Sequence, residues 1–233
     1  MTTRSVPHGR PYEALVFDLD GTLIDSAPDI AAAVNKVFEQ RQWPTQDTAY
    51  IEKFIGFGPR RLLLDLLIAL KLPSDDATVD SAVGDYLENY SREPAARTVF
   101  YPHVREDLEA LHRSGVRLGI CTNKPQALSL RVLGILGIAP MFETVVGADI
   151  APICKPHPSH LLAVAETMKL GDASWAYVGD TKVDQETAAA AQVPFYAVSW
   201  GGGREVSVKP GNRLGRLADL AVHTELIAGE REG

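Results

Sequence analysis

The sequence predicts a doubly wound α/β protein carrying a helical insert, and three observations lead to that expectation. Short runs rich in Val, Ile and aromatic residues alternate with helical repeats along the second half of the chain. Polar and charged residues follow those runs directly, where a parallel sheet presents its carboxyl edge. A long interval, residues 27–98, parts the first run from the next and is itself helical in pattern.

The runs at 14–17, 117–121, 144–146, 175–178 and 195–199 read as buried strands. Between them, Val104, Leu108 and Leu111 recur at helical spacing and stop at Ser114-Gly115, and Leu128, Val132, Ile135 and Leu136 do the same before Gly137. Leu161, Val164, Ala165 and Met168 form a third face, and the alanines at 188–191 a fourth helix that ends at Pro194. Strands and helices in alternation imply a parallel sheet covered on both sides. The interval 27–98 opens on Ser26-Ala27-Pro28-Asp29, which resembles a capping box. Ile30, Val34, Val37 and Phe38 then share one face, Leu62, Leu63, Leu66, Leu67 and Leu70 a second, and Val83, Tyr86, Leu87 and Tyr90 a third. The expected division is a core of residues 1–26 and 99–233 and a helical subdomain of residues 27–98, placed over the strand ends as a lid. After Trp200 the chain is rich in Gly, then weakly helical over 214–227.

Composition narrows the functional classes. The 233 residues amount to about one and a half domains. Apolar residues at 45% and charged residues at 23% exclude disorder, collagen and coiled coil. Lys plus Arg number 23 against 30 for Asp plus Glu, a net −7 that opposes nucleic-acid backbones and anionic lipid, so neither is an expected partner. The longest apolar stretch, 62–70, is broken by Asp65 and falls far short of the roughly 20 residues of a membrane span. Residues 1–11 lack the apolar segment of a secretion signal, and Cys121 and Cys154 are too few for a disulfide framework; the expected compartment is the reducing cytoplasm.

The chemistry gathers after the strands. The first runs straight into Asp18-Leu19-Asp20-Gly21-Thr22, and residues two apart in extended chain project to one side, so two carboxylates share a site. Like charges this close hold a proton between them or face a cation. Gly21 permits a turn, and the Thr22 hydroxyl can meet an anionic oxygen. Taken alone, the same residues also read as a capping and a turn aspartate. The second strand ends at Thr122 and Asn123, with Lys124-Pro125 starting a helix; hydroxyl, amide and helix N–H groups together suit an anion, although a plain cap reads equally well. The fourth ends at Gly179-Asp180, with Asp184 one turn further on, a pair able to face a hard cation such as Mg2+. Lys155 sits in Cys154-Lys155-Pro156-His157-Pro158, where the prolines restrict the direction of its ammonium. Two acidic pairs, a fixed ammonium and neutral donors on one sheet edge match the needs of phosphoryl transfer with one Mg2+.

These segments carry a family resemblance. Phe17-Asp18-Leu19-Asp20-Gly21-Thr22-Leu23, Cys121-Thr122-Asn123-Lys124-Pro125, Lys155-Pro156-His157-Pro158 and Gly179-Asp180-Thr181-Lys182-Val183-Asp184 resemble the four signature motifs of the haloacid dehalogenase-like phosphohydrolases, in their usual order. The insert is similar to that family's small helical cap. Ile55-Gly56-Phe57-Gly58, Tyr101-Pro102-His103-Val104 and Lys155-Pro156-His157-Pro158 look like the phosphoglycolate phosphatase subgroup. The resemblance implies Asp18 as nucleophile, forming an aspartyl phosphate, and Asp20 as general acid and then base. It implies Mg2+ held by the Asp18 carboxylate, the Asp20 backbone carbonyl and Asp180, with Asp184 either a ligand through water or a partner orienting Lys155. Lys155 would offset the crowded negative charge, and Thr122 and Asn123 would hold phosphoryl oxygens. A small phosphorylated metabolite is the expected partner, on a monomer or homodimer. Alternatives left open are another phosphate ester (phosphosugar, nucleotide or pyrophosphate), a phosphosugar mutase, and a non-catalytic regulatory module.

Three further features invite a reading. Arg60 and Arg61 follow Gly58-Pro59 at a helix start, where positive charge opposes the macrodipole, so Arg60 is a candidate contact for a substrate carboxylate. Cys154, His157 and His160 are spaced like metal ligands but lack a fourth, which disfavours zinc. Residues 201–203, all Gly, read as a mobile turn rather than a phosphate cradle.

Overall fold

The computed structural model describes residues 12–220. Its main sheet has six parallel strands in the order β5-β4-β1-β6-β7-β8. The strands are β1 (Ala14–Phe17), β4 (Arg117–Cys121), β5 (Phe142–Val146), β6 (Trp175–Gly179), β7 (Phe195–Val198) and the two-residue β8 (Arg213–Leu214). β1 is buried along its whole length because it lies between β4 and β6 with helices on both faces. Leu15 and Phe17 enter one core with Val104, Leu118 and Val132, and Ala14 and Val16 the opposite core with Leu161, Val164 and Tyr177. The chain builds outward from β1 to β4 and β5, then returns to place β6 on the other side of β1. The strand order therefore reverses beside β1, and a crevice opens past the ends of β1, β4 and β6.

Helices α5 (Val104–Arg113), α6 (Gln126–Ile135), α7 (Pro158–Thr167) and α8 (Lys182–Ala191) fall on the four apolar repeats of the sequence. All five expected strands form, with β5 beginning two residues earlier than its apolar run. The reading of weak helix over 214–227 meets β8 at Leu214, and its later part lies outside the described residues.

Four helices occupy the long interval: α1 (Ala27–Gln40), α2 (Thr48–Glu52), α3 (Pro59–Ala69) and α4 (Asp76–Arg92). The three expected apolar faces belong to α1, α3 and α4, which meet around Val34, Phe38, Leu63, Leu66 and Tyr86 in a second core that Leu128 of α6 joins. The short α2 carries a single buried side chain, Ile51, too little for a periodic signal. This insert leaves and rejoins the sheet domain through an antiparallel pair of two-residue strands, β2 (Ile24–Asp25) and β3 (Val99–Phe100). Asp29, buried in the first turn of α1, accepts hydrogen bonds from Arg97 N, Thr98 N and Thr98 Oγ1 and so ties the outgoing chain to the returning one. No helix among the described residues is long and apolar enough to cross a membrane.

Candidate active site

β1 delivers the first carboxylates. Leu19 turns into the core, so Asp18 and Asp20 on either side of it face the crevice. Gly21 follows with φ +86°, and the turn it makes passes against Asp180. β6 and α8 bring the second pair: Asp180 ends the strand, and Asp184 sits in a capping box with Thr181 at the start of the helix. Oxygen atoms of Asp18, Asp180 and Asp184, all buried, lie within 4.8 Å of one another.

Lys155 enters from the loop after β5. Its Nζ lies 2.9 Å from Asp18 Oδ1 and 2.7 Å from Asp184 Oδ1, and it donates to the Tyr177 hydroxyl at 3.0 Å. That hydroxyl in turn donates to Asp184 Oδ1 at 2.7 Å. The Lys155–Pro156 peptide is cis. Lys155 N donates to Asn123 Oδ1 (3.1 Å) and His160 Nδ1 (3.3 Å), while His160 Nε2 donates to Val146 O (3.0 Å). Lys155 is thus fixed at both its backbone and its head.

Three buried carboxylates against one ammonium leave two negative charges in excess. Burial raises the Asp180 pKa far above the usual carboxylate range, with the charges of Asp184 and Asp18 adding to it. Asp18 is pushed up to about 7, first by burial, with Lys155 opposing and Asp184 reinforcing the rise. Burial also works on Asp184, but Lys155, Thr181 and Tyr177 outweigh it and hold this carboxyl below its ordinary value. Burial works against the Lys155 ammonium, yet Asp18 and Asp184 keep its pKa above normal. A divalent cation would cancel the residual charge, and an all-oxygen donor set of this kind suits Mg2+. The residues fit the metal.

The structure reassigns three side chains. Thr22 does not face an incoming anion: its hydroxyl is fully buried and donates to Asp180 Oδ1 at 2.9 Å, so it orients a carboxylate. The Asn123 side-chain amide is committed, to Gly56 O of the insert (2.9 Å) and to Lys155 O (3.1 Å), which leaves that side chain no hydrogen for a phosphoryl oxygen. Arg60 does not line the crevice. Its guanidinium pairs with Asp76 and Asp80 of α4 at 2.5 and 2.9 Å, and these carboxylates relieve the unfavourable charge at the start of α3. Thr122 stays available: its oxygen accepts from Lys124 N at 3.2 Å, which leaves the hydroxyl hydrogen free to donate into the cavity it lines.

The glycines at 201–203 also do more than turn. They open a 3-10 segment, Gly201–Glu205, in which Gly202 N donates to Asp180 Oδ2 at 3.0 Å. A Cβ on Gly201 would lie 2.3 Å from Gly21 O, so only Gly allows this close approach. Cys154, His157 and His160 form no metal-ligating group among the described residues; Cys154 Sγ contacts Ala148 O, His157 caps α7, and His160 braces Lys155.

Sequence reasoning passed over Lys124 except as part of a helix start. The structure buries its ammonium against Asp20, 2.9 and 3.1 Å from the two carboxylate oxygens, and 2.6 Å from the Tyr90 hydroxyl of α4. The signal was present: Thr122 and Lys124 stand two apart beyond β4, as Asp18 and Asp20 do beyond β1. Asp20 also accepts from Ser26 Oγ at 2.5 Å. A small cavity of about 40 Å³ lies between sheet and insert, lined by Asp18, Asp20, Thr122 and Lys124 on one side and by Ile30, Leu62 and Tyr86 on the other.

Residues 15–198 match the family model for haloacid dehalogenase-like hydrolases, and the chain belongs to that family. It is 38% identical over 181 residues to a phosphoglycolate phosphatase of Cereibacter sphaeroides, covering 78% of this chain and 82% of that protein. A phosphoglycolate phosphatase of Caulobacter vibrioides is 36% identical over 223 residues, covering 95% and 91%. Among solved structures, a predicted phosphoglycolate phosphatase from Haemophilus somnus superposes with a TM-score of 0.81 at 25% identity, over 91% of this chain and 98% of that one. Within the family, the chain stands in the phosphoglycolate phosphatase-like subgroup and is a phosphatase.

Proposed function

We propose that this chain hydrolyses a small phosphate monoester, phosphoglycolate or a near relative of it, through an aspartyl phosphate on Asp18 with Mg2+ bound. The observation that carries this reading is the placement of Asp18. Its carboxylate lies against the Lys155 ammonium and the Asp180–Asp184 pair on one side and faces the cavity under the insert on the other. The names of the relatives support the substrate.

In the first step an Asp18 oxygen attacks phosphorus and the bond to the ester oxygen breaks. Asp20, as a carboxylic acid, gives its proton to the departing alkoxide. In the second, Asp20 as carboxylate takes a proton from water as that water attacks phosphorus, releasing phosphate and restoring Asp18. Lys155 holds Asp18 in place and offsets negative charge as it accumulates. Thr122 donates its hydroxyl to a phosphoryl oxygen. Mg2+ would be held by the Asp18 carboxylate, the Asp20 carbonyl and Asp180, with Asp184 behind them, and when bound it supplies positive charge to the phosphoryl oxygens. The direct Lys155–Asp184 pair supports Asp184 as the partner that orients the lysine.

The insert, residues 27–98, acts in this reading as a lid that keeps bulk water from the cavity, with the Asn123–Gly56 hydrogen bond joining the two parts. The test is a panel of phosphate esters assayed for released phosphate with and without Mg2+. Turnover that requires Mg2+ and disappears in a folded Asp18→Asn variant is the expected result. Equal turnover by that variant removes Asp18 as nucleophile, and silence across the panel removes the phosphatase activity itself.

A further inference from the structure

Lys124 is a costly residue to bury where it stands. Its side chain is 3% exposed, and apolar Ile30, Leu62 and Leu128 face it across the small cavity. If its task were only to hold Asp20, the Ser26 hydroxyl at 2.5 Å already does so without bringing a charge. Among the described residues lining that cavity it is the one cation; Arg60 and Lys155 do not line it. Its ammonium is held still, 2.6 Å from the Tyr90 hydroxyl and 4.5 Å from the centre of that ring. Its backbone is anchored as well, because Lys124 O accepts from Ala148 N at 3.2 Å.

We propose that Lys124 determines specificity by selecting phosphate esters that carry a carboxylate one carbon away from the ester oxygen. This inference rests on Asp20 meeting that ester oxygen, as in the phosphatase reading above. A proton passing from Asp20 to the leaving oxygen needs the two within hydrogen-bond reach, about 2.7 Å. Lys124 Nζ is 2.9 Å from Asp20 Oδ1, so a carboxylate one carbon beyond the ester oxygen arrives beside the ammonium. A neutral tail leaves the ammonium with Asp20 and the Tyr90 hydroxyl as its partners. The lysine is already ordered, so little is lost in fixing it when the second anion arrives.

The experiment compares phosphoglycolate with ethyl phosphate, which has the same two carbons and no carboxylate, on the wild-type enzyme and on Lys124→Met and Lys124→Arg. The wild type is expected to favour phosphoglycolate in kcat/KM by at least about tenfold, mainly through KM. Lys124→Met is expected to lose that preference, and Lys124→Arg to keep part of it. A wild type that treats the two esters alike overturns the inference while leaving the phosphatase intact. So does a Lys124→Met variant that slows both esters equally, since that marks a residue that merely positions Asp20. If the wild type cleaves neither ester, the underlying phosphatase reading falls and the inference with it. The wild-type comparison needs no variant and holds even if Lys124→Met fails to fold.

Discussion

At Gly21 the backbone takes φ +86°, and a Cβ there would fall 2.2 Å from Asp180 Oδ2. Gly21→Ala therefore strains the turn and drives a methyl group into a site carboxylate at once. Expected outcomes are a loss of turnover of about a hundredfold or more and a stability cost of about 1–3 kcal/mol, read from steady-state rates and urea unfolding. His160 tests a different residue. Burial lowers its pKa from 6.5 to about 4, so between those values the unfolded chain takes up a proton that the folded one refuses. Its contribution to stability is complete above about pH 6.5 and is lost as pH falls towards 4, about 3 kcal/mol in all. Urea titrations across that range are expected to show a shallower acid slope in His160→Gln; identical slopes contradict it. Residue by residue, the sequence disclosed which groups gather but not which of their hydrogen bonds were already taken. Asp18 and Asp20 were legible because extended chain fixes the side to which alternate residues point. The hydrogen bonds of the Thr22 and Asn123 side chains could not be foreseen because the atoms that claim them, Asp180 Oδ1 and Gly56 O, are 158 and 67 positions away.

Among the elements, the insert packs on a core to which the sheet domain contributes Leu128 of α6, so its attachment matters as much as its helices do. At the junction where the insert leaves and rejoins the sheet domain, Asp29 ties the two chain crossings together, with two backbone N–H groups and a hydroxyl of residues 97 and 98 converging on one buried carboxylate. Asp29→Ala leaves those donors unpaired. The expected cost is about 2–4 kcal/mol, with KM for the ester rising more than kcat falls, because on the proposed lid reading the insert is less well placed while the Asp18 cluster is untouched. Thermal unfolding and steady-state kinetics check it, and a variant of unchanged stability contradicts it. Periodicity made α1, α3 and α4 readable because each commits a wide apolar stripe to a shared core. It could not reach the pairing of Arg60 with α4, since contacts between exposed charges leave no period in a sequence. The glycines at 201–203 escaped for a related reason: a run of Gly signals a turn in the same way whether it faces water or a carboxylate.

For the molecule as a whole, the strand order explains why residues 18, 124, 155, 180 and 184 meet. β1 lies where the sheet changes direction, so the loops after β4 and β5 and the start of α8 all close upon its end. The alternation of strands and helices predicted that edge, and the long helical interval predicted something seated over it. The fit between the two, with Asn123 bonded to Gly56 and Lys124 to Tyr90, depends on contacts across the interface that no local pattern records. The proposed chemistry converges on one covalent event at Asp18. The direct measurement is to quench the enzyme in acid during turnover, reduce it with borohydride, which converts a carboxyl phosphate to an alcohol, and locate the altered residue by mass spectrometry. Homoserine at position 18, formed only when both substrate and Mg2+ are present, is the predicted result. Steady phosphate release with residue 18 unchanged, or with the modification on another carboxylate, would contradict it.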